Sequence, residues 1–404
     1  MTPAQLGYRM PAEWEPHEAT WIAWPHNRDD WPGKFAPIPW VYTEIVRHLS
    51  RVEMVRIVVG SAKMERRACE MLDRAGANLE RVRFLRARTD RVWLRDSGPT
   101  FLVRGGGGSN QANDQPDSVH LSTRPGLLVG SAVRTDPQPM PAVRTADPTG
   151  AAQGAKESGA GCLVDWKFNA WAKYPDHQND NRIPRLIAAE LRQTLWKPRF
   201  PVGGKLRRVV MEGGAIDVNG LGTLLATEEC LLSEVQCRNP GLDRAGLEQV
   251  FANYLGVRHV IWLGRGIAGD DTHGHVDDLA RFVDPRTVVT VVEPRADDPN
   301  HEPLQENLRR LEAARDQDGE PLRVLTLPMP APVIFEAQRL PASYANFYIA
   351  NGLVLVPTFN DPADRIALNT LAELFPDRQV VGIHCVDLVL GLGTLHCLTR
   401  QQPQ

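Results

Sequence analysis

Apolar positions along the chain switch repeatedly between a helical spacing and the short continuous or alternating runs of strands. Val41, Ile45, Val46 and Leu49 share one helical face and predict a helix over about 40–50, after which 54–59 reads as a strand. The same succession then recurs. A helix over 63–75 leads to a strand at 82–85, a loop, and a second strand at 100–103. A helix over 183–195 leads to a strand at 208–212, then to 215–217 and, past a Gly turn, to 222–226. Helices over 242–255, 302–315 and 363–375 lead to strands at 259–263, 323–327 and 379–383, with a further strand at 353–357.

About five units of this kind can be counted, each with a helix, a strand, a loop and a polar residue in a similar place. Repeats that cannot bury their own faces pack around a common axis, which would bring the equivalent polar residues together. The competing arrangement is an ordinary open α/β sheet, since strands alternating with helices also make parallel βαβ units. The segment at about 105–161 stands apart, rich in Gly, Pro, Ser, Ala, Gln and Thr. It interrupts a strand pair, so it is expected to be a mobile surface insertion within a single domain spanning 1–404 rather than a boundary.

Composition narrows the partners. A net charge of −3 over 404 residues makes no electrostatic case for nucleic acid or a membrane surface. No apolar run approaches the roughly 18 residues of a membrane span, and the first residues lack the pattern of a signal peptide. Six cysteines without framework or paired C-x-x-C spacing suggest neither a disulfide scaffold nor a zinc site. The expectation is a soluble cytoplasmic protein; a homo-oligomer is compatible with the sequence, which gives no direct reading of assembly.

Several polar positions can carry chemistry. Asp96, in Arg95-Asp-Ser-Gly-Pro, is held by a turn at a strand mouth, where an Asp also serves as a plain turn cap. Glu212 precedes two glycines that clear space for a ligand or form a bulge. The run 269–278 is the densest polar cluster and admits two readings. His273, His275 and the aspartates could bind a metal, or His275 could act as acid and base while Asp277 holds a cationic substrate. In an extended segment their alternate side chains share one face, which does not separate the readings. Cys397, after a Gly-rich loop, is either a core filler or a nucleophile, with Cys385 as its rival. A nucleophile must ionise, and carboxylates nearby would oppose that. A cationic substrate such as a guanidinium would reverse the opposition.

These residues carry a resemblance. Arg95-Asp-Ser-Gly-Pro, Phe168-Asn-Ala-Trp171, Glu212-Gly-Gly, Gly269-Asp-Asp-Thr, Gly274-His-Val-Asp277, Asn346-Phe-Tyr and Gly393-Thr-Leu-His-Cys397 occur in the order seen in the agmatine deiminase family. That family includes the Porphyromonas-type peptidylarginine deiminases and belongs to the guanidine-modifying superfamily. The resemblance spans nearly the whole chain outside the insertion. It implies a five-bladed, pseudo-symmetric α/β propeller and hydrolysis of a small cationic guanidine without metal or other cofactor. By the same resemblance Cys397 attacks the guanidinium carbon, Asp96 and Asp277 grip its nitrogens, and His275 protonates the leaving ammonia and then activates water. Glu212, Trp93 and Asn346 are pocket residues, with Trp93 covering the guanidinium plane.

The chain departs from the family pattern after Trp171, where Ala-Lys-Tyr-Pro-Asp-His-Gln replaces the frequent Gly-Gly, in the loop before Cys397, and in the long insertion. Agmatine, converted to N-carbamoylputrescine and ammonia, is the expected substrate. Free or peptidyl arginine is the alternative, favoured by a basic residue at the far end of the pocket. A metal-dependent amidohydrolase ranks below both, and a binding module that has lost turnover is the remaining possibility.

Overall fold

Short runs of β-branched residues, suited to a pleated surface, become the middle strands of five sheets. Thr287–Val292, Thr-Val-Val-Thr-Val-Val, is the plainest: buried along all but its last residue, it pairs antiparallel with Ala280–Phe282 and parallel with Arg323–Pro328. Three more sheets repeat that order. Asp217–Val218, Thr223–Thr227 and His259–Leu263 form one, and Tyr348–Ala350, Leu353–Thr358 and Gln379–His384 another. Thr100–Arg104, Cys162–Val164 and Leu195–Trp196 form the next, extended at its edge by Tyr8–Arg9. In the fifth, the C-terminal strand Arg400–Pro403 lies antiparallel to His17–Ala23, which is followed in parallel by Met54–Val59 and Val82–Arg86. The first sheet of the chain is thus completed by its last strand.

The computed structural model describes residues 1–104 and 161–404, and these form one unit. The insertion read at about 105–161 falls outside the described residues. Parallel neighbours need a crossover, and helices supply it: Ile38–Val52 and Ala62–Arg74 in the first sheet, then Ile183–Leu191, Arg244–Leu255, His301–Ala313 and Ala363–Leu374. Ser61 caps the second of these by accepting from the Met64 N–H, and Asp243 caps Arg244–Leu255 in the same way through Gly246. No helix among the described residues is long and apolar enough to cross a membrane.

The α/β class and the repeated unit read from the sequence are present as mixed sheets of three or four strands, not as one open sheet. One unit departs from expectation. The helix begun at 183 ends at Leu191, where Arg192 turns left-handed at φ 54°, and its parallel strand is Leu195–Trp196 rather than 208–212. Gly203 and Gly204, both at positive φ, close a two-residue turn that folds Arg199–Val202 against Lys205–Arg208 as a hairpin. Val210 keeps only a single bridge to Lys167.

A second regularity positions the site. A short turn or helical segment precedes the first strand of each sheet's antiparallel pair. These are Leu94–Ser97, Gly213–Ala215, Val276–Asp278, the loop holding Asn346, and Leu395–Leu398. Asp96, Glu212, His275 with Asp277, Asn346 and Cys397 sit on or beside these five segments, one segment per sheet.

Candidate active site

Gly214 marks where three of these segments meet. A Cβ at this position would lie 2.6 Å from His275 Nδ1 and 3.0 Å from both Asp277 Oδ2 and Asp96 Oδ1. Only glycine leaves room for imidazole and both carboxylates, and its N–H donates to Asp96 Oδ1 at 2.9 Å. Trp171 Nε1 donates to the other Asp96 oxygen at 2.9 Å. Two neutral donors fix this carboxylate without neutralising it, and burial pushes it up to about 6 despite the nearby His275 charge.

His275 lies between two carboxylates, with Nδ1 3.9 Å from Asp96 and Nε2 3.7 Å from Glu212. Among the described residues neither nitrogen has a partner within hydrogen-bond distance; Nε2 faces the buried Glu212 and Nδ1 faces Asp96. Burial works against its charge, yet Asp96, Cys230 and Glu212 raise the imidazole well above its ordinary value. Glu212 is fully buried and paired with Arg238 Nε at 3.2 Å. That pairing holds it below the usual carboxylate range although burial pushes the other way.

Cys397 lies in the last of the short turns, its Sγ 3.8 Å from Asp277 Oδ2 and 3.1 Å from Asn346 Nδ2, which donates to it. The Asn346 side chain is committed on both ends. Its amide also donates to Asp278 Oδ1 at 3.0 Å, and its oxygen accepts from the Thr394 hydroxyl at 2.8 Å and the His396 N–H at 3.0 Å. It therefore holds the loop that presents the thiol. A Cβ at Gly393 would come within 3.2 Å of the sulfur and 3.0 Å of the Trp93 ring, so the indole stands beside the thiol. Burial, with Asp277, Asp278 and Asp96 nearby, pushes the thiol well up and keeps it protonated.

A cavity of about 440 Å³ opens onto this cluster, a size that suits a small ligand. Trp93, Asp96, Trp171, Thr272 and Cys397 line its inner part. Cys397 and Asp96 keep 7% and 5% exposure against 1% and 0% for His275 and Asp277, so a ligand meets the thiol first and the imidazole beyond it.

All seven residues singled out from the sequence are thus brought together. Their rivals are not. Cys385 is buried beyond the end of Gln379–His384, its N–H donating to Thr358 O, and it does not line the cavity. His273 and Gly274 have φ of 67° and 93°, so the segment is not extended. The His273 ring turns to Ser233 at 3.1 Å and lines a different cavity, so the two imidazoles do not share a face. Other members were missed. Trp171 and His396 appeared only within motifs and Asp278 only within the 269–278 cluster, and Arg238 and Glu13 were not singled out. His396 stands next to Cys397, which could have drawn attention to it. Glu13 has no local signal, because its partners lie 82 to 383 residues away.

The sequence matches the Porphyromonas-type peptidyl-arginine deiminase family over residues 9–403. Agmatine deiminase of Stutzerimonas stutzeri is 33% identical over an alignment covering 100% of this chain and 97% of that protein. Among solved structures, agmatine deiminase of Enterococcus faecalis superposes with a TM-score of 0.79 at 28% identity, covering 100% of this chain and 98% of that one. A putative arginine deiminase from Porphyromonas gingivalis superposes at 0.75 with 32% identity, covering 98% of each chain. A family match across almost the whole sequence, together with relatives matched from end to end, shows that the chain belongs to the Porphyromonas-type peptidyl-arginine deiminase family.

Proposed function

We propose that this enzyme is a hydrolytic deiminase that converts agmatine and water to N-carbamoylputrescine and ammonia. The observation that carries the reading is the meeting of a thiol, an imidazole and two carboxylates in one cluster onto which a cavity opens. Asp96 and Asp277 take the guanidinium N–H groups, a pairing whose planar geometry suits carboxylates. The bound cation offsets the carboxylates that oppose thiolate formation, so the nucleophile is switched on by its own substrate. As the cation binds, the thiol gives up its proton to solvent, and the Cys397 thiolate then bonds to the guanidinium carbon. His275, held protonated, gives its proton to the departing nitrogen, and the C–N bond breaks to release ammonia. The imidazole, now neutral, takes a proton from water, which attacks the amidino carbon. The C–S bond breaks to give the ureido product and the free thiol. Holding thiol, cation and imidazole together is worth at most roughly 7–11 kcal/mol.

The five sheets support a finer description of the fold as a five-bladed propeller with pseudo-fivefold symmetry. Each repeats one strand order, each contributes one segment to the site, and the first is closed by the last strand.

The outer part of the cavity favours a cationic tail. Asp29, Asp30, Asp271 and Glu336 line it. The one basic residue there among the described residues, Arg91, is paired with Asp30 and, at 3.1 Å, with Asp176. One oxygen of the buried Asp30 has no hydrogen-bond partner among the described residues. A carboxylate tail would meet these acids unmatched, so kcat/KM for agmatine should exceed that for free arginine by roughly ten- to a hundredfold. Ammonia release from agmatine, arginine and an arginine peptide measures this, and a preference for arginine would reverse the substrate assignment.

Activity should also depend on acid pH. With Asp96 raised to about 6, its carboxylate is ionised above that pH and protonated below it. Protonation removes one ion pair to the guanidinium, so kcat/KM falls as pH drops through about 6. A profile that stays flat across this range would remove Asp96 from guanidinium binding. The metal-dependent alternative loses the paired imidazoles it needed, since His273 turns away. Dialysis against chelator separates the two: a rate lost and then restored by zinc or manganese would transfer the reaction to a metal.

A further inference from the structure

Glu13 lies between the strands Tyr8–Arg9 and His17–Ala23 and is buried beneath the site. Its Oε1 accepts from Arg281 Nη2 and from the Ile349 N–H, both at 2.9 Å. Its Oε2 accepts from Arg95 Nη2 at 2.9 Å and faces His396 Nε2 at 2.8 Å. Although burial opposes its charge, Arg281, His396 and Arg95 hold this carboxyl well below the usual range. An ionised carboxylate can only accept hydrogen bonds, so His396 Nε2 donates. The other ring nitrogen, Nδ1, lies 2.6 Å from Asp277 Oδ2. Asp277 is also held below the usual range: burial pushes it up, and the His396 hydrogen bond is the largest effect bringing it down. Both carboxylates are therefore ionised and the imidazole donates to each. Asp277 Oδ1, by contrast, is buried without a hydrogen-bond partner among the described residues.

We infer that Glu13 is a positioning residue of this reaction, acting through His396 to keep Asp277 ionised with Oδ1 turned free for the guanidinium. The inference rests on the deiminase reading above. Packing alone would account for a buried carboxylate that ties the N-terminal loop to Arg95, Arg281 and Ile349. It would not account for a chain that ends on one oxygen of a pocket carboxylate and leaves the other unpartnered. Asp96 is the internal comparison. It too is buried but has no hydrogen bond from an imidazole, His275 being 3.9 Å away, and it is pushed up to about 6. Around Asp277 the cations are His396, His275 and Arg281, Asp96 and Asp278 oppose its charge, and the protonated Cys397 thiol faces Oδ2 at 3.8 Å. Without the link from Glu13, Asp277 faces much the same balance as Asp96.

The test is the pH profile of kcat/KM in Glu13→Gln and His396→Asn, taken on whichever of agmatine, arginine and arginine peptide the wild type turns over fastest. Wild type should lose activity toward acid with the slope of one proton. Each variant should show a limb that moves upward and steepens toward two protons, because Asp277 now titrates beside Asp96. At neutral pH kcat/KM should fall roughly ten- to a hundredfold, the worth of one charge-assisted hydrogen bond. Glu13→Gln added to His396→Asn should lower Tm further but leave the profile where His396→Asn put it. A purely structural Glu13 would lower Tm and the active fraction with the limb unmoved, and that result in either soluble variant overturns the inference. If Glu13→Gln does not fold, His396→Asn decides alone. Turnover of arginine in place of agmatine would count against the substrate and not against this link. Turnover of none of the three would overturn both.

Discussion

Cys397→Ser should abolish ammonia release from agmatine, by about 10⁴-fold or more, while leaving the protein folded. A serine hydroxyl ionises far less readily than a thiol, and the carboxylates that raise Cys397 would raise it too. The fold should tolerate the change, because the sulfur accepts one hydrogen bond, from Asn346, that an oxygen can also accept. The guanidinium grip by Asp96 and Asp277 is untouched, so agmatine should still raise the variant's Tm by mass action. Cys385→Ser is the matched control and should retain the wild-type rate, since Cys385 does not line the cavity. A Cys397→Ser enzyme that still releases ammonia at the wild-type rate would end the nucleophile assignment and turn attention to Cys385.

His275→Gln should reduce turnover by roughly 10²–10⁴-fold, the usual contribution of a positioned acid and base. Glutamine preserves bulk and hydrogen-bonding capacity but cannot carry a proton between steps. The second half of the reaction needs a base, and His275 is the unpartnered imidazole at that place. Amidino-cysteine should therefore accumulate on the variant during turnover and be visible as an intact-mass increase confined to Cys397. A variant rate close to wild type, with no adduct, would remove His275 from both steps. Comparing adduct formation with ammonia release tells which step suffers more.

The elements that were legible in the sequence are those whose stability is local. The strands Met54–Val59 and His259–Leu263 were read residue for residue, because a bounded run of β-branched and apolar side chains has one reasonable conformation. The helices Ala62–Arg74, Arg244–Leu255, His301–Ala313 and Ala363–Leu374 came within a few residues for the same reason. The strand expected at 208–212 failed because Gly203-Gly204 makes a tight turn, and its hairpin takes up the preceding residues. Residue type and motif order pointed to Asp96, Glu212, His275, Asp277, Asn346 and Cys397, which the fold brings together. The His273 reading failed on two backbone angles, which no side-chain pattern specifies.

By itself the sequence determined the α/β class, the repeated unit and the kinds of side chain available for chemistry, since these follow from periodicity and composition. Only the tertiary structure decided which of two cysteines faces a cavity and which imidazole stays with the carboxylates. It also decided that a glutamate near the N-terminus meets the histidine beside the nucleophile. The physical reason is distance along the chain. Glu13 and His396 are 383 residues apart, and their 2.8 Å contact exists only because the last strand returns to pair with the first sheet.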